Sequence, residues 1–388
     1  MSELSRFQTG FGLTLLTAAL LVMAQTASAS TLYWIEGIGI LPGGDQSWAH
    51  GINASGTVAG TSRIGVVWAP ADAVVYGAGG LVDLNISTGW PHNDNSALNI
   101  NDAGQVVGII ANGGFGGFRA FLKTGSQVVE GADLVSGVFS SAYDINNEGQ
   151  IVGFHTADIY SHDLAYFRSA GGSVTEIGTL GGDTSSANAV NDYSDVVGSA
   201  ATASGATHAF FWTAAGGIQD LGTLPGGSQS AAYDINNSGQ VVGSADGHAV
   251  LWQSGVIQDL GMLPGTTSSV AYHINSAGQV VGSSWIPGSS GSGHAVIWID
   301  GQIYDLNALI SPDSGWVLGE AVGMNDAGQV VGNGVFNGVG EGFLLTPAGG
   351  EGAGVPEPGT VFLIPVGLGA VAWILRRSGS IFNAPREQ

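Results

Sequence analysis

Two carboxylates, Asp144 and Asp234, occupy the same position in two copies of a recurring segment, and His273 takes that position in a third. Carboxylates held as a pair hydrolyse glycosides, one donating a proton while the other acts as nucleophile or base. Carboxylate oxygens also hold calcium. The bland alternative is that each Asp accepts hydrogen bonds from the adjacent hairpin, a common use of Asp beside turns, and this reading is preferred. A second recurring set, His208, His248 and His294, stands four residues before Trp212, Trp252 and Trp298. A metal site needs its imidazoles gathered, but equivalent positions of separate repeats stay apart. A hydrogen bond inside each repeat, satisfying a buried imidazole, is therefore expected. His50, His92, His155, His162 and His273 show no ligand spacing, and neither a His-Glu-x-x-His motif nor a twelve-residue EF-hand loop is present. No catalytic, cofactor-binding or metal-ligating residue is expected. Calcium stays a candidate because of the charge balance described below.

The elements that must position these residues form a repeat. Seven segments share an Ile-Asn-x-x-Gly-Gln-Val-Val-Gly pattern, and Asn occurs in every copy: Asn53, Asn101, Asn146, Asn191, Asn236, Asn275 and Asn325. The steps are 48, 45, 45, 45, 39 and 50 residues, a period suited to four strands per propeller blade. In the fifth copy Ala231–Ile235, Gln240–Ser244, His248–Trp252 and Val256–Leu260 are rich in Val, Ile, Tyr and Trp, which favour strands. The turn Asn caps itself through its side chain, and the Gly three residues later supplies the positive φ of a tight hairpin. Ser194 replaces that Gly in the fourth copy, so its hairpin is expected to be the least well formed. A second Gly follows the paired Val in all seven copies (Gly60, Gly108, Gly153, Gly198, Gly243, Gly282 and Gly332). It marks a close backbone approach.

The array is cut between its third and fourth strands. The last copy ends at Gly342-Phe343-Leu344-Leu345, while an unpartnered fourth-strand piece, Leu32–Gly39, stands near the N-terminus. An open solenoid has no use for that offset; a closed ring does, because pairing the two ends removes an exposed edge. The expected fold is all-β, a seven-bladed β-propeller of four-stranded blades whose N-terminal strand completes the last blade. Trp90 and Trp316, on loops between blades, are equally suited to stacking on sugars and to plugging the core. Gly288–Gly293 reads as a flexible loop. The glycines show no phosphate cradle ahead of a helix and no nucleophile elbow.

The segments His208–Trp212, Ile218–Leu224 and the Ile-Asn…Gly-Gln-Val-Val-Gly core together resemble the bacterial extracellular HAF repeat, over roughly residues 32–345 and most strongly from Asp144 to Trp298. That resemblance implies an extracellular repeat protein and no particular activity.

Both ends read as addresses. Residues 1–29 have a short polar start with Arg6, an apolar run, and Ala27-Ser28-Ala29, a signal-peptidase pattern before Ser30. At the other end stand Pro356-Glu357-Pro358, an apolar stretch from Val361 to Leu375, and Arg376-Arg377. Fifteen apolar residues fall short of the roughly 20 of a straight membrane span, and the paired Arg would stay cytoplasmic. This order resembles the PEP-CTERM sorting signal of Gram-negative bacteria, which implies processing by an exosortase and a link to exopolysaccharide. It departs from that pattern in the residues Ser378–Gln388 after the basic cluster. The expected organisation is a signal peptide (1–29), the propeller (30–348), a Gly/Pro linker with the Pro-Glu-Pro motif (349–358) and a hydrophobic sorting or anchor segment (359–388).

Composition narrows the function. The 388 residues include 66 Gly, no Cys, 30 acidic and eight basic residues, for a net charge of −22. Eight basic residues cannot build a nucleic-acid face, and without Cys there is neither a disulfide scaffold nor a Cys-ligated zinc. The span Ser30–Val355 carries 27 acidic and four basic residues, which favours calcium or a cationic partner over an anionic one. The expected protein is exported to the outer surface or extracellular matrix, transiently anchored in the inner membrane by its tail. Its expected role is a non-enzymatic binding or structural module linked to exopolysaccharide or biofilm. Signal peptidase and exosortase are its expected processing enzymes and a polysaccharide its expected partner. The alternative is a carbohydrate-active hydrolase or lyase using carboxylates at the channel mouth.

Overall fold

The computed structural model describes residues 32–65, 71–86, 93–112, 117–156, 162–288 and 293–349. The signal segment with Ala27 and Ala29, Trp90, His92, most of the Gly288–Gly293 loop, and the tail with Pro356, Glu357, Pro358, Arg376 and Arg377 lie outside the described residues. Seven four-stranded antiparallel sheets form the blades of a propeller. The inner strands are Gly44–Ile52, Asn93–Ile100, Phe139–Ile145, Gly181–Val190, Ser230–Ile235, Ser268–Ile274 and Trp316–Met324. Blades are numbered 1 to 7 in that order.

Blades 1 to 6 are each continuous in sequence, whereas blade 7 takes its outer strand from the N-terminal end of the described chain. Tyr33–Gly37 pairs antiparallel with Val339–Pro347, Tyr33 facing Pro347 and Gly37 facing Phe343. The Ile38 amide donates to Gly342 O (2.9 Å), and the Gly39 amide donates to the Glu341 carboxylate (3.0 Å). Tyr33 is fully buried by this closure.

The second recurring Gly is dictated by a bulge. Every inner strand shifts register between the residues four and two positions before the turn Asn, as between Ala232 and Asp234. A bulge leaves one residue unpaired and bends the strand. The bend drives a carbonyl toward the facing Gly: a Cβ on Gly243 would lie 2.0 Å from Ala231 O, and the other six positions give 1.9 to 2.3 Å. The Ala opposite each Gly is fully buried. Such small residues let neighbouring blades approach, and the core lies between blades. One cluster joins Val197 and Ala209 of blade 4 to Ala232, Ile235, Val241 and Trp252 of blade 5.

The fourth hairpin departs from expectation. Ser194 adopts φ 69°, the same left-handed conformation as Gly239 at φ 72°. Its turn closes with the same two backbone bonds, Ser194 N to Asn191 O and Asn191 N to Asp195 O, both 3.1 Å. The Ser194 hydroxyl also accepts from Gln150 Nε2 of blade 3 (2.8 Å), so inter-blade bonding offsets the cost of a side chain at positive φ.

Candidate functional site

The turn asparagines surround one mouth of the axial channel, and they do more than cap their own turns. In blade 5, Asn236 Oδ1 accepts from the amides of Ser238 (3.0 Å) and Gln240 (3.1 Å). Its Nδ2 donates to Gln240 Oε1 (2.8 Å) and to Asn275 O of blade 6 (3.0 Å). The same inter-blade bond runs from Asn53 to Asn101, Asn101 to Asn146, Asn146 to Asn191, Asn191 to Asn236, and Asn325 back to Asn53, at 2.8 to 3.3 Å. Between blades 6 and 7 the turns meet through the Ser276 amide and Asp326 Oδ1 (3.0 Å). Asn is required because one amide must accept in its own turn and donate to the next blade. Asn236→Asp keeps the acceptor but sets a carboxylate against the Asn275 carbonyl. We expect it to cost about 2 kcal/mol, close to the about 3 kcal/mol expected for Asn236→Ala. Denaturant unfolding checks this, since a cap acting only within its turn would tolerate Asp.

Below the Asn ring, a channel cavity of about 350 Å³ is lined by the bulge residues and their neighbours, including His50, Tyr143, Asp144, Tyr233, Asp234 and His273. The structure therefore places both recurrent carboxylates and His273 at the channel, and it also shows what engages them. Asp144 Oδ1 accepts from the Ile145 amide (2.8 Å) and from Asn99 Nδ2 of blade 2, while Oδ2 accepts from the Val190 amide of blade 4 (2.8 Å). Asp234 repeats the pattern with the Ile235 amide and, on blade 6, the Ile274 amide, both 2.8 Å. His273 Nε2 lies 3.5 Å from Asp234 Oδ2. Each carboxylate latches its own bulged strand to the neighbouring blade.

Burial pushes the Asp144 carboxyl up to about 6; the Val190 and Ile145 amides oppose this, Asp234 adds to it, and His273 opposes it. Burial pushes His50, whose Nε2 lies 3.0 Å from Thr61 Oγ1, down to about 4. The signs oppose. Asp144 contributes stability below its unfolded value near 3.8, lost as pH rises through about 6. His50 contributes stability above 6.5, lost as pH falls through about 4. Each amounts to up to about 3 kcal/mol. Between pH 4 and 7, Asp144→Asn is expected to lose stability on acidification relative to the parent, and His50→Gln to gain it. Denaturation midpoints across that window measure both.

His208, His248 and His294 do not meet one another. Each pairs through Nδ1 with an outer-strand Asp of its own blade: Asp220 (2.8 Å), Asp259 (2.9 Å) and Asp305 (2.8 Å). The same carboxylates accept from the amides of Gly222, Gly261 and Asn307. These imidazoles are bonded within their blades as expected, but they are partly exposed rather than buried, with side-chain exposures of 22%, 39% and 52%. Among the described residues no group of three or more His, Asp or Glu side chains converges as a metal ion would need. Among them, too, no helix is long and apolar enough to cross a membrane.

Comparison with known proteins adds the fold. No family model matches the chain, and no curated protein matches it. Among solved structures it is similar to a puromycin hydrolase (TM-score 0.50, 14% identity), covering 76% of this chain and 51% of that one. It is also similar to the β-propeller domain of the Trilobed protease from Pyrococcus furiosus (TM-score 0.48, 10% identity, 81% of this chain and 100% of that one). A third is a gluconolactonase from Xanthomonas campestris (TM-score 0.40, 12% identity, 83% and 93%). The chain spans about half the length of the puromycin hydrolase. At 14% identity the likeness to the puromycin hydrolase is one of fold alone.

One further set of residues has no counterpart among those expected from the sequence. A Ser stands six residues before the turn Asn in five copies. Ser47, Ser140, Ser185, Ser230 and Ser269 each accept, through Oγ, an amide from the third strand of the preceding blade, as Ser230 does from Ala209 (2.9 Å). Their recurrence was the available signal. Trp316 packs on Phe336 (ring centroids 5.1 Å apart) and edge-on to Phe343, so it fills the edge of blade 7 rather than projecting from it.

Proposed function

We propose that the protein is an exported β-propeller that serves at the outer surface or in the extracellular matrix as a non-enzymatic binding or structural module for exopolysaccharide. The observation that carries this reading is the engagement of Asp144 and Asp234. Oxygens of both carboxylates are held by backbone amides of their own strand and of the next blade, which leaves them poorly placed to exchange protons with a glycosidic oxygen. Asp144 and Asp234 also stand at one repeated position and are bonded alike in two blades, whereas catalytic sites tend to break the local rules of a fold. The export address rests on the HAF-like repeat, the Ala27-Ser28-Ala29 site for signal peptidase, and the PEP-CTERM-like tail on which an exosortase would act. The large negative balance favours a neutral polymer, or one bridged by calcium, over a bare anionic one.

The hydrolase or lyase reading draws on one observation, the Asp144 carboxyl raised to about 6 in a channel lined by three Tyr, a value suited to a general acid. Fractionation of the producing cells and the intact mass of the exported protein test the address. Export with the signal segment removed is expected; a full-length cytoplasmic protein would overturn it. Incubation with the polysaccharide of those cells tests the activity, with retention and unchanged chain length expected.

A further inference from the structure

One interface breaks the ring's rules. Six residues before the turn Asn, six blades carry a polar side chain, Asn95 in blade 2 and Ser in the others; blade 7 has Gly319. Its inner strand makes an additional bulge there, between Leu318 and Glu320. Among the described residues, blades 6 and 7 are joined neither by the serine bond found at five other interfaces nor by the Asn-to-Asn bond found at all six others. In their place the Ser283 hydroxyl donates to Gly319 O (2.9 Å). The result is a cleft of about 390 Å³ whose walls include Tyr272, Ser283, Trp285, Gly319, Glu320 and Asn333. That volume lies within the range of small-molecule sites.

Two side chains of this cleft stand at positions that vary from blade to blade. Trp285 stands ten residues after its turn Asn, where the other blades have Arg63, Ala111, Thr156, Ala201, Asp246 and Val335. Glu320 stands five before its turn Asn, where the others have Trp48, Ser96, Ser141, Ser186, Ala231 and Val270. Glu320 is held in place: Asn333 Nδ2 donates to its Oε1 (3.0 Å), and Asn333 is fixed on blade 1 by the Ala49 amide (2.9 Å) and carbonyl (3.3 Å). Glu320 Oε2 has no hydrogen-bond partner among the described residues. Burial, reinforced by the Glu320 charge, pushes the Tyr272 phenol up, so it stays a neutral O–H donor. Gly319 departs from the repeat, and Trp285 and Glu320, at positions that the repeat leaves free, meet at the cleft it opens.

We propose that this cleft binds one neutral pyranose unit of a polysaccharide, its apolar face against Trp285 and its hydroxyls on Glu320, Tyr272 and Ser283. A large aromatic surface beside a few fixed polar groups suits a ring with an apolar face and a rim of hydroxyls. The free carboxylate oxygen accepts from a sugar hydroxyl as a charge-assisted bond. The same carboxylate, on a strongly acidic protein, disfavours uronic acids and sulfated sugars. The proposal deepens the polysaccharide-binding reading and rests on it for the choice of ligand.

The test uses the full exported chain and three probes, the methyl α-pyranosides of D-glucose, D-galactose and D-mannose, followed by saturation-transfer NMR. At least one is expected to bind, and Trp285→Ala and Glu320→Gln are each expected to weaken it tenfold or more. Gly319→Ser, which returns the side chain found in five other blades, is expected to weaken it too. Glu320→Gln keeps an oxygen for Asn333 and is the variant to read if Trp285→Ala fails to fold. No binding by the parent, or binding that Trp285→Ala and Glu320→Gln leave unchanged, overturns the pocket. Retention on the whole polysaccharide is measured in parallel. Variants retained as well as the parent leave the polysaccharide reading standing and the pocket refuted. A parent that binds a methyl glycoside but no polysaccharide refutes the reading and keeps the pocket.

Discussion

A chain shortened to begin at Ile38 is expected to lose cooperative unfolding and to associate. The shortening removes Tyr33–Gly37, five residues paired along Val339–Pro347, and with them Tyr33, one of the largest fully buried side chains. Loss of the buried ring alone costs about 3 to 5 kcal/mol. The newly bared edge of Val339–Pro347 becomes a template for pairing with another chain. The remaining six blades keep their sheets, but the ring no longer closes on itself. Calorimetry of parent and shortened protein checks this: one sharp transition for the parent, and a broad, concentration-dependent one for the variant. A peptide of residues 32–39 added to the shortened protein should restore the sharp transition by adding the missing strand.

Gly243→Ala is expected to destabilise by about 3 kcal/mol or more, and Gly239→Ala by about 1 kcal/mol, although Gly239 is the residue at positive φ. The difference lies in what each new methyl meets. At Gly239 it meets open space, whereas at Gly243 it meets Ala231 O at 2.0 Å and Ala232 Cα at 2.9 Å. Both obstacles are backbone, so no side chain can swing away. Relief requires undoing the bulge, and with it the Asp234 latch onto the Ile274 amide. Denaturation midpoints of the two variants measure the contrast. Equal losses would mean that the conformation of the turn, rather than the bulge, sets the need for glycine.

The repeat, the strand count and the closure were legible because each rests on local chemistry copied many times. Turn residues, paired β-branched residues and a fourth-strand fragment stranded near the N-terminus can all be read one segment at a time. The contacts between blades were not legible. The unpaired bulge residue has no constant identity, being His50, Leu98, Tyr143, Asn188, Tyr233, Tyr272 or Val322, so no motif announces the bulge. The second role of the turn Asn depends on a carbonyl 39 to 48 residues away, or 272 for Asn325. Asp144 was singled out, but its hold on the Val190 amide of the next blade follows only from the ring. Other partnerships did leave a trace. Asp220, Asp259 and Asp305 recur in the outer strands as regularly as the histidines they bind.

The fold also explains the glycine excess and the low charge. Seven bulges and seven turns call for glycine at nearly every copy. Strands packed blade against blade leave little surface for Lys or Glu, and several acidic residues serve at turns and latches, such as Asp144, Asp234, Asp220 and Asp259. There the carboxylates hold backbone amides.

The most direct test is a single incubation of the purified propeller with neutral polysaccharide from the producing cells, read for both retention and polymer length. Retention with no shortening is expected, unchanged by Asp144→Asn or Asp234→Asn in protein that remains folded. Shortening of the polymer by the parent, abolished by either substitution, would contradict it and make the axial carboxylates catalytic.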